Sequence, residues 1–146
     1  MTDIAFHFNM ADKLAYSCRL LRKICLSGAK VAVTAEPEVL AKLDTLLWSF
    51  SAADFVPHCT GDASPTTLAN TPVLLTAMPA GCSQYGILVN LGQAVPAGFE
   101  GFERVIEVVS LAVEDAQAGR SRWKHYAGQG YTMKRHDLAQ RASGTS

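Results

Sequence analysis

The chain has 146 residues, of which 49% are hydrophobic and 18% are charged, a balance typical of one globular domain of ordinary size. No apolar run approaches the roughly 20 residues that cross a bilayer, and the N-terminus lacks the pattern of a secretory signal, so we expect a cytoplasmic protein without membrane contact. The net charge is zero, but residues 119–146 carry six Lys and Arg against one Asp, which disfavours a globally basic nucleic-acid binder and favours a local cationic site for an anionic partner.

The first fifty residues alternate between short apolar runs and amphipathic segments. Residues 4–8 alternate in the manner of a strand. Residues 12–26 then carry an apolar side chain at every third or fourth position, which predicts a helix. The apolar run 31–33 predicts a buried strand, and Pro37 opens a second helix that ends near Trp48.

The rest of the chain continues this alternation after one long irregular stretch. Residues 49–70, rich in Ser, Ala, Asp, Thr and Pro, are predicted to be mostly loop. Three further apolar runs predict buried strands at 73–76, 87–91 and 103–109. A last helix is predicted over about 111–127.

Strands that alternate with helices predict an α/β fold with a mostly parallel sheet of about five strands and helices on both faces, a three-layer sandwich. We expect this domain to occupy residues 1–131. The polar residues 132–146 are expected to form a disordered tail.

Motifs for catalysis and for cofactor binding are absent from the sequence. The chain has no P-loop, and the first predicted strand is followed by Asn9-Met10-Ala11-Asp12 and not by a glycine-rich phosphate loop. No Ser stands in a G-x-S-x-G motif, no cysteines form a C-x-x-C pair, and the histidines lack metal-ligand spacing. We therefore predict no catalytic residue, no cofactor and no metal site. A small nucleotide-using enzyme or regulator of the same fold class remains the alternative.

Two residue groups stand out instead. The first is Leu43-Asp44-Thr45-Leu46-Leu47-Trp48, followed by Asp54-Phe55-Val56-Pro57-His58. An aromatic residue at a helix end and an apolar group in a loop are typical of the anchor of a protein interface. The alternative is that Trp48 and Phe55 simply cover the core.

The second group is Gly119-Arg120-Ser121-Arg122-Trp123-Lys124-His125-Tyr126. On a helix, Arg120, Trp123 and Lys124 share a face because they lie three and four residues apart. Trp123 and Tyr126 also continue an apolar stripe, so the aromatic rings could pack on the sheet while the cations are solvated. Both interpretations hold together if Trp123 lies at the edge of that stripe.

Together the two groups resemble the chi subunit family of bacterial DNA polymerase III. The L-D-x-x-L-W and F-V-P-H blocks, the late R-x-R-W-K-x-Y block, the chain length and the order of elements all agree, up to about Tyr131. The resemblance implies a Rossmann-like fold without nucleotide chemistry. Direct single-stranded DNA binding is a weaker alternative, since the chain lacks several aromatic residues on one sheet face.

The resemblance also implies a function and partners. Chi proteins are non-catalytic accessory subunits that pair with the psi subunit of the clamp loader. They also bind the acidic C-terminal tail of single-stranded DNA-binding protein, and thus contact DNA only indirectly. By position, the psi interface would comprise Trp48, Phe55, Val56 and Pro57. The acidic-tail site would comprise Val109, Arg120, Trp123 and Lys124.

One departure from the family pattern affects the predicted acidic-tail site. Ala116 lies one turn before Arg120, where the basic stripe of the family can continue with a lysine. We expect this loss to weaken the site or to shift it towards Arg122 and Lys124.

Overall fold

Seven parallel strands form one sheet in the computed structural model, which describes residues 2–49, 58–60, 72–77, 79 and 85–138. The strands pair in the order β3-β4-β2-β5-β6-β1-β7, and every neighbouring pair is parallel. Their bounds are β1 Asp3–Met10, β2 Val31–Thr34, β3 His58–Thr60, β4 Val73–Leu75, β5 Ile87–Asn90, β6 Arg104–Ser110 and β7 Met133–Asp137.

Helices cover both faces of this sheet, as the alternating pattern predicts. Helices α1 (Lys13–Leu26) and α2 (Pro37–Ser49) pack on one face, where Leu21, Leu43 and Leu47 are fully buried. Helix α3 (Val113–Gly128) packs on the other face through an aromatic cluster that includes Phe6 and Tyr126. The predicted three-layer α/β architecture is therefore confirmed.

The sheet has two more strands than the five predicted, and both lie at its edges. Strand β3 lies inside residues 49–70, which were predicted to be mostly loop, and three residues are too few to show a periodic pattern. Strand β7 lies inside the predicted tail, so the expectation that disorder begins at residue 132 is wrong. Its sequence is Met-Lys-Arg-His-Asp. An edge strand pairs with the sheet on one side only, so it is more exposed to water than an inner strand and can carry polar side chains.

A buried ion pair fixes α3 on the sheet. Glu107 of β6 is completely buried, and its carboxylate accepts a hydrogen bond from Arg122 Nε at 2.8 Å. Tyr126 donates its hydroxyl to the same carboxylate at 2.6 Å, and Asn90 Nδ2 donates at 2.9 Å. Burial, together with the neighbouring Glu107, raises the pKa of Tyr126, so its hydroxyl keeps the proton that it donates. Arg122 Nη1 also donates to the carbonyl of Gln93 at 3.0 Å.

A second polar contact holds the beginning of α3. The buried carboxylate of Asp115 accepts hydrogen bonds from Ser110 N at 2.7 Å, Lys13 Nζ at 3.0 Å and Gln93 Nε2 at 2.9 Å. Burial by itself would raise the pKa of Asp115, but the donors Ser110 and Lys13 outweigh it and hold that pKa below its ordinary value. The ionised carboxylate therefore links α3 to α1 and to the segment after β5.

The buried ion pair predicts a large difference between two arginines of α3. Arg122→Met should lower the free energy of unfolding by about 3–5 kcal/mol, because it leaves the Glu107 carboxylate buried without its counter-charge. Arg120→Met, two residues earlier on the exposed side, should change it by no more than about 0.5 kcal/mol. Urea denaturation of both variants measures the two values, and equal losses would contradict the assigned role of Arg122.

The lowered pKa of Asp115 predicts acid sensitivity. A carboxyl group with a lowered pKa in the folded state stabilises the fold above its unfolded pKa of about 3.9, and this contribution is lost as the pH falls through the folded value. Asp115→Asn should therefore be clearly less stable than the wild type at pH 7, and the difference should shrink below about pH 4. Denaturant titrations from pH 7 to pH 3 test this; a difference that stays constant with pH would refute it.

Candidate functional site

A groove with a volume of about 550 Å³ lies between α3 and the strands β1, β6 and β7. We call it the α3 groove. Its lining comes from the helix and from these three strands, so its shape is set by the packing of the helix on the sheet. It is lined by Phe6, Phe8, Asn9, Val109, Ser110, Ala116, Gly119, Arg120, Trp123, Lys124 and Arg135.

The floor of the α3 groove is apolar. Phe6 and Phe8 lie two residues apart on β1, so both side chains point to the face of the sheet that α3 covers. Val109 of β6 completes the floor opposite Gly119 of α3. A Cβ atom on Gly119 would lie 2.9 Å from Val109 Cγ2, so only glycine allows the helix to approach this closely.

Trp123 belongs both to the core and to the groove. Its ring packs on Phe6 with the ring centroids 5.0 Å apart, and its side chain is only partly buried. Tyr126, one turn later, is completely buried. Trp123 therefore lies at the edge of the apolar stripe of α3. The helix can both pack its aromatic rings on the sheet and present Trp123 on a binding surface.

Three cations surround the apolar floor: Arg120 and Lys124 on α3, and Arg135 on β7. All three are exposed, and none forms an ion pair or hydrogen bond with the part of the chain that the structure describes. Among the residues that line the groove, none is acidic. The groove thus combines an apolar floor with positive charge that no described side chain neutralises.

One end of the groove is shaped by a bulge in β1. The pairing register with β6 shifts between Phe8 and Met10, and Asn9 between them has a left-handed backbone with φ of 71°. Asn9 Nδ2 donates a hydrogen bond to Asp137 Oδ1 at 2.8 Å, which ties the ends of β1 and β7 together. Asparagine tolerates this conformation better than most residues.

The structure brings together all four residues that were predicted for the acidic-tail site. Val109, Arg120, Trp123 and Lys124 line the same groove, and Ala116 lies beside them. The expected shift of the site towards Arg122 is wrong, because that side chain is buried in the ion pair with Glu107 and points away from the groove. Arg135 was not predicted as a site residue, because it lies in the segment that was expected to form a disordered tail.

The second predicted surface is described only in part. Trp48 is 63% exposed near the end of α2, so it does not serve mainly to cover the core. Phe55, Val56 and Pro57 lie outside the described residues. Leu26, at the end of α1, is 72% exposed. Both helices lie on the same face of the sheet and run antiparallel to its strands. Leu26 and Trp48, near the ends of the two helices, therefore both lie towards the end of the sheet at which the strands begin.

No group of three or more His, Cys, Asp or Glu side chains within the described residues could hold a metal ion. No helix in the same part of the chain is both long and apolar enough to cross a membrane.

Comparisons with known proteins address the family of the chain. A protein-family model described as the DNA polymerase III chi subunit, HolC, matches residues 1–134. The DNA polymerase III subunit chi of Pseudomonas aeruginosa is 31% identical over 143 residues, which span 94% of this chain and 98% of that protein.

A solved structure supports the fold alone. A variant of the Dbp5 C-terminal domain from S. cerevisiae, solved with Gle1 and IP6, is similar with a TM-score of 0.60 at 14% sequence identity. The match spans 93% of this chain and 90% of that one. The family model and the bacterial relative together show that this chain belongs to the DNA polymerase III chi subunit family and is an accessory, non-catalytic subunit of the replication machinery.

Proposed function

We propose that this chain joins two partners within the DNA polymerase III holoenzyme. The α3 groove would bind the acidic C-terminal tail of single-stranded DNA-binding protein, and the end of α2 would pair with the psi subunit of the clamp loader. The observation that carries the first part is the convergence, on one apolar groove, of three exposed cations that form no ion pair with the described residues. A ligand that satisfies both features must supply carboxylates and an apolar side chain next to each other.

A peptide that ends in Asp residues and a C-terminal Phe has this chemistry. The Phe ring would pack on the apolar floor beside Val109 and Trp123. The planar guanidinium of Arg120 can hold a carboxylate through two hydrogen bonds, which a lysine cannot match. The acidic residues upstream would remain close to Lys124.

The strength of this interaction follows from opposing terms. Burial of the ring contributes roughly 1.5–3 kcal/mol, and a charge-assisted hydrogen bond to Arg120 contributes roughly 1.5–3 kcal/mol. Ordering of the peptide and loss of its free motion oppose these gains. We expect a dissociation constant on the order of micromolar, weakened further by the absence of a cation at Ala116.

The proposed psi surface rests on Trp48. A tryptophan that is 63% exposed at a helix end is typical of an interface anchor, because a partner can remove much of its large apolar surface from water. The loop residues Phe55, Val56 and Pro57 would contribute to the same interface.

Titration of the acidic tail peptide tests the groove. Arg120→Ala should weaken binding by about tenfold or more because it removes the bidentate contact, and Arg120→Lys should recover only part of that loss. Binding by the wild type should also weaken as salt rises. The matched control is Arg19→Ala, which removes an exposed arginine from α1 on the opposite face. If Arg120→Ala and Arg19→Ala bind the peptide equally well, the proposed site is wrong.

Replacement of Trp48 tests the psi surface. Trp48→Ala should weaken binding to purified psi by about 2 kcal/mol or more, while the melting temperature changes little because the side chain is mostly exposed. Lys42→Ala, an exposed residue on α2, is the control. Calorimetric titration and thermal melts provide both readouts. A large drop in melting temperature with unchanged psi binding would assign Trp48 to packing, and the same comparison applies to Phe55→Ala.

A further inference from the structure

We infer that Arg135 of β7 is an anion-binding residue of the α3 groove and forms the wall opposite α3. This inference rests on the proposed function of the groove and names a residue that determines which peptides it accepts. The ligand would be an acidic peptide with carboxylates in at least two places, one for each wall.

The register of β7 decides where its side chains lie. Arg135 pairs with Phe6 and Met133 pairs with Ile4, and Met133 packs in the same aromatic cluster as Phe6. Since side chains alternate along a strand, Met133 and Arg135 face α3. Lys134, between them, belongs to the opposite face.

Contacts of the neighbouring histidines support this assignment. His136 pairs with His7 of β1, and their ring centroids are 4.5 Å apart. The His7 ring in turn contacts Tyr16 of α1 through a hydrogen bond and an edge contact. His136 therefore lies on the α1 side of the sheet, which leaves Arg135 on the α3 side.

Arg135 is positioned before any ligand binds. Its Cζ atom lies 5.2 Å from the centroid of the Phe8 ring, within the range of a cation–π contact. This contact does not use the N–H donors of the guanidinium, and none of them bonds to a described residue. Asp137 faces the same side two residues later, where Asn9 Nδ2 donates a hydrogen bond to it. The cation of Arg135 thus remains available to an anion.

The location on β7 separates Arg135 from the other two cations. Arg120 and Lys124 belong to α3, whereas Arg135 approaches the floor from the sheet. A ligand on the floor therefore lies between the cations of α3 and the cation of β7. Ala116 lines the same groove without any charge, so it offers a position at which a lost cation can be replaced.

The experiment is a titration of a synthetic peptide that carries an acidic stretch and a C-terminal Phe. Arg135→Gln should weaken binding by about three- to tenfold and flatten its salt dependence. Lys134→Gln makes the same charge change one residue earlier on the opposite face and should stay within about twofold of the wild type. Adding Ala116→Lys to Arg135→Gln should restore most of the lost affinity. Thermal melts show whether each variant is folded.

The outcomes separate this inference from the proposed function. If Arg120→Ala weakens binding while Arg135→Gln and Lys134→Gln behave alike, the inference is overturned and the groove stands. If the wild type does not bind the peptide, both fail. If Arg135→Gln lowers the melting temperature, Arg135→Met is measured instead, since it removes the charge but keeps much of the packing on Phe8. An affinity below that of the wild type supports the inference, and wild-type affinity with a wild-type salt dependence overturns it.

Discussion

The ion pair between Glu107 and Arg122 determines how α3 lies on the sheet, and the groove depends on that orientation. Residues on a helix are separated by about 100° each, so a buried Arg122 directs Arg120 to the opposite side. Tyr126 binds the same carboxylate and fixes the helix one turn further on. With this side of α3 buried, Arg120 and Lys124 are held at the rim of the groove. A buried charge pair is weak evidence for stability but can specify one arrangement among several, and here it specifies the rotation of a helix.

The described parts of the two proposed surfaces lie on different faces of the sheet. The α3 groove is on the face that α3 covers, and Trp48 is at the end of α2 on the other face. Two partners bound there would not compete for the same residues. The central strands between them are apolar and completely buried, as at Val31, Val33 and Val89, so the sheet separates the surfaces rigidly. This arrangement would let an accessory subunit hold two partners at the same time.

The sequence predicted the interior of the fold well and its edges poorly. The five inner strands and the three helices follow from apolar runs and helical periodicity, which reflect burial in the core. Strand β7 was missed because its polar residues are stabilised by backbone pairing with β1, which side-chain patterns do not reveal. The burial of Arg122 was missed because a charged side chain was assumed to face solvent. The sequence contains one indication of a buried cation. Glu107 is a carboxylate within an apolar run, and a buried charge needs a partner of opposite charge.

The same reasoning explains why part of the site was visible in the sequence and part was not. Arg120, Trp123 and Lys124 belong to one helix, so their spacing alone places them together. Arg135 joins them only through the pairing of β7 with β1, which brings residues from the two ends of the chain into contact. The groove is thus built from a helix held by a buried ion pair and from an edge strand held by hydrogen bonds to β1. An edge strand with charged side chains resists pairing with other chains, and Arg135 and Lys134 provide that protection on the two faces of β7. Arg135 thus contributes a charge both to an exposed edge of the sheet and to the α3 groove.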